Sequence, residues 1–504
     1  MLNTLKNLPF FLQLVGLCGL WMMVPAVHAL ASEAFHQART FFYAGLLTLI
    51  LVSLVGIAIS NQVQNRSGLR QLLGLLGAFT VLPLIMAVPF HEALRTTSFL
   101  NAYLEMVSSF TTTGATLFAP ERLSDTLHLW RALVGWMGGL LMWIAAAAIL
   151  APLNLGGFEV TASAEPGGGE ARVATMEGAD PVTRLMRTSW RLIPVYFGLT
   201  LALWITLLVA GEAPLVAFSH AASTLATSGI SPIGGVQSGA AGFVGEGLIF
   251  LFLLFSLSRL TFTNDPVPGA AADLRHDPEF RLGLLLVVLV PGFLILRHWA
   301  GAFEVDEVDD LFSAVRAAWG SMFTVLSFLS TTGFESADWA AARSWSGLDN
   351  PGIILLGLAM IGGGVATTAG GVKLLRVFAL YLNGRREIER LVHPSSVGNA
   401  RAVSRRIRRH GAFVAWVFFM LFAISLAAIT VILGGFGVRF DAAIVLAPSA
   451  LSTTGPLTDV ALEAPIVLVE LNAGAKLVYG AAMVLGRLET LAIIALLSPN
   501  LWRN

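Results

Sequence analysis

The stretch Thr111-Thr112-Thr113-Gly114-Ala115 has three counterparts later in the chain. They read Ala226-Thr227-Ser228-Gly229-Ile230, Ser330-Thr331-Thr332-Gly333-Phe334 and Ser452-Thr453-Thr454-Gly455-Pro456. The four glycines are 115, 104 and 122 residues apart, and a short apolar segment precedes each of them. One such element is a common loop or helix end, but four at similar spacing indicate an internal repeat. These stretches are called the first to fourth Thr–Gly elements below.

The composition excludes most soluble functions. Of the 504 residues, 56% are hydrophobic and only 12% are charged, whereas a soluble domain carries about 25% charged residues. The 31 Lys plus Arg residues balance the 31 Asp plus Glu residues, so no basic surface for nucleic acid is expected. The single cysteine, Cys18, cannot form an intramolecular disulfide. The chain is therefore predicted to be an integral membrane protein.

Ten apolar segments are candidates to cross a bilayer, which takes about 20 residues. They are 8–30, 39–60, 71–93, 129–152, 188–210, 241–258, 281–300, 350–380, 411–434 and 474–498. Four shorter apolar segments end in the Thr–Gly elements and are expected to be re-entrant. These are 98–112, 213–227, 313–331 and 440–453. The first of the ten resembles a cleavable secretory signal, and we expect a retained helix instead.

The positive charges predict the orientation in the membrane. With the N-terminus inside, 21 Lys and Arg residues lie in inner segments and six in outer segments. Both termini are then cytoplasmic, and all four Thr–Gly elements face the outer side. The inner segment 385–410 is strongly basic. It is interpreted either as an orientation signal that contacts anionic lipid or as a docking segment for a cytoplasmic partner.

The Thr–Gly elements suit a selectivity filter. A cation crossing hydrocarbon must exchange its hydration water for other oxygens, and rings of backbone carbonyls supply these in potassium channels. Glycine reaches positive φ cheaply, which lets the backbone leave helical geometry. The negative C-terminal ends of the short helices also favour a cation. The predicted filter residues are Thr112, Thr113, Gly114, Thr227, Ser228, Gly229, Thr331, Thr332, Gly333, Thr453, Thr454 and Gly455.

The eighth apolar segment contains a glycine-rich break. Its members are Gly362, Gly363, Gly364, Gly370 and Gly371, with Thr367 and Thr368 between them. Each glycine costs about 1 kcal/mol relative to alanine in a helix interior, so a continuous helix is not expected. Two interpretations stay open: close helix packing through small residues, or a flexible loop under the filter. Lys373 and Arg376 are expected to extend to the inner surface.

Several charged residues fall within the apolar segments. Arg487 in the last span either extends to the inner end or faces a wet cavity or partner. Glu489 is expected to form a structural pair, and Lys476 is interpreted as a structural or an outer-pore residue. Glu105 and Arg131 are expected to pair with each other. No Ser/His/Asp arrangement, Walker loop or metal-ligand pattern is present in the sequence, so no enzyme is predicted.

The four units of span, short segment and span resemble the Trk/Ktr/HKT superfamily of potassium transporters. Two stretches point to the Trk branch and its TrkH-type membrane subunit, as do the two additional N-terminal spans. They read Ile361-Gly-Gly-Gly-Val-Ala-Thr-Thr-Ala-Gly-Gly-Val-Lys373-Leu-Leu-Arg376 and Met483-Val-Leu-Gly-Arg487-Leu-Glu489. The resemblance implies an all-α integral membrane protein with four pseudo-symmetric span–pore helix–span repeats around one central pore.

The resemblance also divides the chain into domains. Two N-terminal transmembrane helices occupy residues 1–70, and pore repeats 1 and 2 occupy residues 71–186 and 187–280. Pore repeat 3, with the intramembrane gate loop and the basic cytoplasmic segment, occupies residues 281–410. Pore repeat 4 occupies residues 411–504.

By the same resemblance, the chain takes up potassium across the bacterial inner membrane. The stretch 362–371 is the gate and Arg487 is a pore-facing charge beside it. No cofactor is expected in this chain, because NAD and ATP bind a separate TrkA-type cytoplasmic subunit, and family members are homodimers. Gly114 implies selection of K⁺ over Na⁺, whereas Ser228 and the fourth element depart from the family pattern. A poorly selective Na⁺/K⁺ pathway and an H⁺- or Na⁺-coupled carrier remain alternatives.

Overall fold

The computed structural model describes residues 9–59, 68–151, 181–258, 274, 277–302, 311–346, 351–394 and 411–489. These residues form helices and connecting loops, and none of them lies in a β-strand. The chain is therefore all-α over the part that the structure describes. Most of the basic inner segment, including Arg401 to Arg409, lies outside the described residues, as does everything after Glu489.

Eighteen α-helices lie within the described residues and are numbered in chain order. The first nine are α1 (Phe10–Trp21), α2 (Met23–Ala31), α3 (Phe35–Ile59), α4 (Gly68–Leu94), α5 (Phe99–Phe110), α6 (Asp125–Ala145), α7 (Pro181–Val209), α8 (Pro214–Ala226) and α9 (Gly242–Leu253). The others are α10 (Pro278–Ala302), α11 (Leu311–Leu329), α12 (Trp339–Ser346), α13 (Gly352–Ile361), α14 (Leu374–Val392), α15 (Ala412–Gly435), α16 (Phe440–Leu451), α17 (Leu457–Val460) and α18 (Ala473–Leu488).

Seven stretches of helix are long and apolar enough to cross a membrane among the described residues. They are Phe10–Ala31, Phe35–Ile59, Gln71–Leu94, Asp125–Leu150, Thr183–Val209, Pro278–Arg297 and Ala412–Gly435. Their outward faces carry exposed large apolar side chains, such as Leu47 at 69% and Ile57 at 74% exposure, which suit contact with lipid tails. The chain is a multi-span membrane protein, and these seven helices correspond to seven of the ten predicted spans.

The other three predicted spans differ from the observed helices. The segment 241–258 forms α9 and a short 3₁₀ turn, Leu254–Leu257, a stretch too short to count as a span by length. The segment 350–380 is not one helix, because α13 ends at Ile361 and α14 begins at Leu374. The predicted helix 474–498 ends at Leu488, where Glu489 turns to a φ of 62°.

Four short helices end at the Thr–Gly elements, as predicted. They are α5, α8, α11 and α16. Local sequence explains where two of them begin. At the start of α5, the Ser98 hydroxyl accepts a hydrogen bond from the Asn101 N–H at 3.4 Å. Proline opens α8 at Pro214, a position where a missing N–H costs nothing. The predicted short segments are therefore helices.

The short helices pack in a circular order. Each contacts the first long helix after the Thr–Gly element of the preceding unit or the helix that begins its second span: α8 lies against α6, α11 against α9, and α16 against α13. The circle closes because α5 lies against α18, the last described helix. Helices far apart in sequence thus meet around one centre, and this arrangement brings the four Thr–Gly elements together.

The predicted pair of Glu105 and Arg131 is confirmed. The Arg131 Nε lies 2.7 Å from the Glu105 Oε1, and both side chains are almost fully buried. The same carboxylate accepts hydrogen bonds from the Leu117 N–H at 2.8 Å and the Thr116 hydroxyl at 3.1 Å. Glu105 therefore fixes the chain just beyond the first Thr–Gly element to both α5 and α6.

Candidate cation site

Each Thr–Gly element begins as the C-terminal cap of a short helix. In the first, the Thr112 N–H donates to the Ser109 carbonyl at 3.0 Å and the Thr113 N–H donates to the Ser108 carbonyl at 2.9 Å. The same two bonds occur in the other three elements. They join Thr227 to Thr224 and Ser228 to Ser223 in the second element. They join Thr331 to Phe328 and Thr332 to Ser327 in the third, and Thr453 to Ala450 and Thr454 to Ser449 in the fourth. This pairing is the Schellman motif. The sequence repeat is therefore a repeat of backbone structure.

A threonine takes the left-handed position in all four caps. The φ angles are 54° at Thr112, 51° at Thr227, 61° at Thr331 and 54° at Thr453. Glycine usually occupies this position, and a β-branched residue there is an outlier that costs on the order of 1–3 kcal/mol. Strain of this kind is concentrated at functional sites, so its fourfold occurrence marks these turns as a site.

The glycine of each element has no room for a side chain. A Cβ on Gly114 would lie 1.7 Å from the Ser228 carbonyl oxygen, and one on Gly229 would lie 2.2 Å from the Thr332 carbonyl oxygen. A Cβ on Gly455 would lie 2.0 Å from the Ala115 nitrogen. Gly114, Gly229 and Gly333 have positive φ as expected, but Gly455 is not among the positive-φ residues. At position 455, glycine is needed because another stretch of backbone approaches closely and not because of its φ.

The contacts between elements run in one direction around a closed ring. The Thr332 carbonyl faces Gly229, the Ser228 carbonyl faces Gly114, and the Thr113 carbonyl accepts the Gly455 N–H at 2.6 Å. Pro456 closes the ring against Gly333, at 2.7 Å from a Cβ built there. The structure thus brings the predicted filter residues together. Four helix C-termini, with their partial negative charge, converge on this ring.

A serine stands six residues before every one of these glycines, and the prediction did not include it. The four are Ser108, Ser223, Ser327 and Ser449. Each carbonyl accepts the second cap bond, and each side chain is buried. The Ser108 hydroxyl also donates to the Ala115 carbonyl at 2.6 Å, across the first element. Alignment of the four stretches on their glycines reveals this serine, so the sequence does carry the signal.

Residues 362–373 form a loop that crosses directly beneath the ring. The Gly370 N–H donates to the Thr331 hydroxyl at 2.8 Å, and the Thr368 hydroxyl donates to the Leu225 carbonyl at 3.0 Å. A Cβ on Gly370 would lie 2.1 Å from the Ser452 carbonyl oxygen. The loop therefore touches the second, third and fourth units. Its glycines permit close approach of backbone, and the interpretation as a continuous, closely packed helix is wrong.

Arg487 lies against this loop and does not extend to the inner end. Its Nη1 donates to the Thr368 carbonyl at 2.6 Å, and the residue is 3% exposed. Its Nε and Nη2 have no hydrogen-bond partner among the described residues. A buried cation thus holds the middle of the loop through a backbone carbonyl. A buried charge with a single hydrogen bond at membrane depth is costly and is typical of a functional residue.

The prediction that Lys373 and Arg376 extend to the inner surface is wrong. Lys373 is 6% exposed, and its Nζ donates to the Ala369 carbonyl. Arg376 is fully buried, pairs with Glu489 at 2.7 Å and stacks on the Phe418 ring, with its Cζ 3.6 Å from the ring centroid. The expected structural pairing of Glu489 is confirmed. Both cations find partners inside the protein, which removes the reason to extend to water.

Replacement of Arg376 by methionine is expected to lower the free energy of unfolding by about 3–5 kcal/mol, because Glu489 would remain buried without its partner. Thermal denaturation of the purified chain in detergent measures this change. The double variant Arg376→Met with Glu489→Gln should recover much of the loss. Arg385→Met is the matched control, since Arg385 is 66% exposed and its pair with Glu389 contributes little. Equal stability of the two single variants would contradict the prediction.

Lys476 is structural. Its Nζ donates to the Asn101 Oδ1 at 2.9 Å and to the Val469 carbonyl at 2.8 Å. These bonds tie α18 to the N-terminal turn of α5 and to the chain before α18. The structural interpretation of Lys476 therefore accounts for its burial, and its ammonium is not directed toward the loop that Arg487 holds.

Two further buried carboxylates, which the prediction did not include, hold the chain beyond the elements. The Ala240 and Ala241 N–H groups donate to Glu212, each at 3.2 Å. The Ala337 N–H at 2.6 Å, the Ser336 hydroxyl at 2.7 Å and the Trp319 Nε1–H at 2.9 Å donate to Glu246. Glu105, Glu212 and Glu246 thus secure the chain that follows the first three elements.

The atoms at the ring that could bind a cation are oxygens of backbone carbonyls and side-chain hydroxyls. Oxygen donors of this kind suit hard cations such as alkali metal ions rather than transition metals. Within the described residues, no group of three His, Cys, Asp or Glu side chains could hold a metal ion. The fold and this ring together define the class of protein: a multi-span, all-helical membrane protein with a ring of oxygen atoms that suits an alkali cation.

Comparison with known proteins identifies the family. A family model described as "TrkH: Cation transport protein" matches residues 282–503. The Trk system potassium uptake protein TrkH of Vibrio parahaemolyticus is 30% identical over 413 residues, which is 80% of each chain. TrkH of Escherichia coli K12 is 28% identical over 84% of each chain, and TrkG of that organism is 26% identical over 97% of each chain.

A solved structure agrees with the sequence relatives. The crystal structure of the potassium transporter TrkH from Vibrio parahaemolyticus superposes with a TM-score of 0.79 at 25% identity and covers 99% of both chains. The chain belongs to the TrkH family.

Proposed function

We propose that the chain takes up potassium across the bacterial inner membrane through a pore at the centre of the four Thr–Gly elements. The observation that carries the proposal is the closed ring of four elements, each with the same cap, with a carbonyl oxygen at three of the four junctions and the Pro456 ring at the fourth. Four converging helix C-termini favour a cation there. The relatives named above as potassium uptake proteins support K⁺ as the ion.

The pore would be built from four pseudo-symmetric repeats within one chain. The circular packing of α5, α8, α11 and α16 supports this arrangement. Helices α1 to α3 precede the first unit and supply the two additional N-terminal spans. With the positively charged segments inside, both termini are cytoplasmic and the elements open outward.

The loop from Gly362 to Gly371 would be the gate. It lies across the inner side of the ring, and the bonds from Gly370 to Thr331 and from Arg487 to Thr368 hold it there. A guanidinium at this position repels a cation on its way inward, so charge and steric closure act together. Opening then requires that the loop move away from the ring.

The gate would be controlled by separate partners. A TrkA-type cytoplasmic subunit that binds NAD or ATP, a second copy of this chain and anionic lipids are the proposed partners. Helix α14 leads directly from the gate loop toward the basic segment 385–410, so a partner bound there could act on the loop. Arg385, Arg386 and Arg390 are the described cations of this segment.

Growth of a potassium-uptake-deficient bacterial strain on low K⁺, with and without this chain, tests the proposal. Rescue by the native chain, lost or shifted toward Na⁺ in Gly114→Ser, is the expected result. Rescue that is insensitive to Gly114→Ser would contradict a pathway through the ring. If the chain is in the membrane and rescues growth neither alone nor with a co-expressed TrkA-type subunit, potassium uptake is the wrong function.

The second candidate is a pathway of the same fold that discriminates poorly between Na⁺ and K⁺. Ser228 favours this candidate. In the other three elements the first and third residues both carry a hydroxyl, whereas the second element has Ala226 at the first position. The Ser228 hydroxyl bonds the Ser223 hydroxyl instead, at 3.0 Å. Equal Na⁺ and K⁺ fluxes through the native chain in liposomes would establish this candidate. Flux coupled to an H⁺ or Na⁺ gradient would establish a carrier instead.

Uptake is expected to fall as the external pH drops through about 7. Burial, together with the negative charge of Asp459, raises the pKa of Glu335 to about 7. Glu335 lies two residues beyond Gly333, so below this pKa the outer mouth loses a negative charge that attracts cations. Initial Rb⁺ uptake at limiting concentration should fall by about twofold or more from pH 8 to pH 6. Glu335→Gln should take up less Rb⁺ at pH 8 and show a weaker pH dependence, because Asp459, whose pKa burial raises to about 6, still titrates in this range. A native pH profile in that variant would contradict the assignment.

A further inference from the structure

The serine that stands six residues before each glycine of the ring has a hydroxyl that the cap does not use. The third unit shows that the cap and the hydroxyl are separable. The Ser327 carbonyl accepts the Thr332 N–H at 2.9 Å, yet the Ser327 hydroxyl has no hydrogen-bond partner among the described residues. The left-handed turn at Thr331 forms there as it does in the other units. The bonds that the other three serine hydroxyls make therefore serve something other than the cap.

In the first unit the hydroxyl holds the chain on the far side of the glycine. The Ser108 hydroxyl donates to the Ala115 carbonyl at 2.6 Å. The Ser108 carbonyl accepts the N–H groups of Thr113 at 2.9 Å and Gly114 at 3.3 Å. One buried residue thus binds three consecutive residues of the first Thr–Gly element. The Thr113 carbonyl, which accepts the Gly455 N–H of the fourth element, lies within this stretch. Ser108 therefore fixes the position of that carbonyl in the ring from behind.

The hydroxyls of the second and fourth units bond other side chains. The Ser223 and Ser228 hydroxyls lie 3.0 Å apart, and the Ser228 carbonyl is the one that faces Gly114. The Ser449 hydroxyl lies 2.9 Å from the Tyr479 hydroxyl, which ties α16 to α18. Both bonds are buried, so water does not compete for these groups. The second element is thereby fixed to its own helix, and the helix of the fourth element to a neighbouring one.

The third unit differs from the others in two independent ways. Its serine hydroxyl is unbound among the described residues, and the Pro456 ring approaches Gly333 where the other three junctions have a carbonyl oxygen. Beyond Gly333 the chain is held by Glu246, which accepts the Ala337 N–H and the Ser336 hydroxyl. The place of the third element in the ring therefore does not depend on its serine.

We propose that the hydroxyls of Ser108, Ser223 and Ser449 are positioning groups that set the preference of the ring for K⁺ over Na⁺, and that Ser327 has no such role. The proposal rests on the potassium pathway proposed above and adds residues that determine its selectivity. The three hydroxyls act through the elements that they hold and not by contact with the cation.

The physical basis is the geometry that selection between alkali cations requires. A ring of oxygens distinguishes K⁺ from Na⁺ through the size of the cavity or through the number and field strength of its dipoles. Either mechanism needs the oxygens held in place, and supporting hydrogen bonds hold a binding site to within about 0.5 Å of its working geometry. A ring that loses such a bond can contract around the smaller Na⁺, so the preference for K⁺ falls.

Alanine replacements test the proposal, because alanine removes the hydroxyl, keeps the backbone carbonyl of the cap and has the highest helix propensity. Ser108→Ala, Ser223→Ala, Ser449→Ala and Ser327→Ala are each reconstituted as the full chain in liposomes. Graded Na⁺ or K⁺ inhibits Rb⁺ uptake, and the half-inhibiting Na⁺ concentration divided by that of K⁺ gives the ion preference. Ser321→Ala is the matched control, since Ser321 is a buried serine of α11 whose hydroxyl bonds a carbonyl of its own helix.

The preference for K⁺ is expected to fall about threefold or more in Ser108→Ala, because the Ser108 hydroxyl holds a backbone oxygen of the element directly. Ser223→Ala and Ser449→Ala should lower the preference about twofold, since their hydroxyls act through a second side chain. Ser327→Ala and Ser321→Ala should keep the native preference. This contrast among equivalent serines separates a role in selectivity from a general effect of losing a buried hydroxyl.

Tyr479→Phe tests the fourth unit from the other side of its bond. This variant removes the partner hydroxyl and keeps the aromatic ring, so it should lower the preference as much as Ser449→Ala does. The double variant should be no worse than either single variant, because both changes remove the same bond. Additive losses would show that the two hydroxyls act separately and would overturn the assignment of Ser449.

An unchanged preference in Ser108→Ala would overturn the proposal, as would an equal loss in all four serine variants, Ser327→Ala included. The rise in melting temperature that K⁺ gives, compared with that from Na⁺, is a second readout independent of flux. The same ranking is expected there among variants that melt normally without either ion, and loss of the ranking would also overturn the proposal. If the native chain takes up no Rb⁺ while this ranking holds, the proposed uptake is wrong and the role of the serines stands.

Discussion

Replacement of Gly114 by alanine is expected to reduce K⁺ uptake at least tenfold while the protein still reaches the membrane. The added Cβ would lie 1.7 Å from the Ser228 carbonyl oxygen, and backbone cannot yield as a flexible side chain does. The first and second Thr–Gly elements must separate, which disrupts the ring of oxygens. The φ of 74° adds a smaller cost of about 1 kcal/mol for any residue with a Cβ. Rb⁺ uptake in liposomes, normalised to folded protein, measures the effect.

Gly437→Ala separates the collision of the added Cβ from the cost of a positive φ. Gly437 has a φ of 82°, close to that of Gly114, but nothing lies within 4 Å of a Cβ built there. This variant therefore bears the backbone cost without the collision and is expected to transport at nearly the native rate. If both variants lose uptake equally, left-handed strain is the cause and the ring geometry is not. Native uptake in Gly114→Ala would contradict a pathway through the ring.

Replacement of Arg487 by methionine is expected to raise uptake about fivefold or more in liposomes that contain no cytoplasmic partner. The change removes a buried positive charge from the pathway and the hydrogen bond that holds the gate loop at Thr368. It leaves no carboxylate unpaired, because Glu489 pairs with Arg376 rather than with Arg487. The fold should therefore tolerate the change.

Arg487→Gln distinguishes the charge from the bond. Glutamine can still donate an N–H to the Thr368 carbonyl but has no charge, so an uptake rate between those of the native and methionine variants is expected. Lys476→Met is the control, since it removes a cation from the same helix at a site that bonds Asn101 and Val469. It should not raise uptake. A methionine variant no faster than the native chain would show that Arg487 does not restrain the loop.

Much of the candidate site could be predicted from the sequence. Four repeated stretches predicted four short helices and a meeting point, and the glycine-rich break predicted an interrupted helix. Both predictions rest on local chemistry, because the length of an apolar segment, the backbone freedom of glycine and the polarity of the residues act within a few positions. The pairing of Glu105 with Arg131 also followed, since the order of elements brings α5 next to α6.

Other features could not be predicted, because they depend on which backbones meet. Lys373 and Arg376 looked like residues that extend to the surface, since a cation near a helix end usually does. The pair of Arg376 with Glu489 joins residues 113 positions apart, and no local pattern shows that distance closing. The left-handed φ at Thr112 and its counterparts opposes the local preference of threonine, so only packing around the ring can maintain it.

The sequence by itself determined that this chain spans a membrane, that it contains four equivalent Thr–Gly elements, and that one span is broken by glycine. Composition, spacing and chain flexibility are enough for that, because each acts locally. Only the tertiary structure decided that the four elements close into one ring, that each turn is made by a strained threonine, and that Gly370 and Arg487 hold the loop beneath it. These features come from contacts between distant segments, and their geometry exists only after the helices have packed.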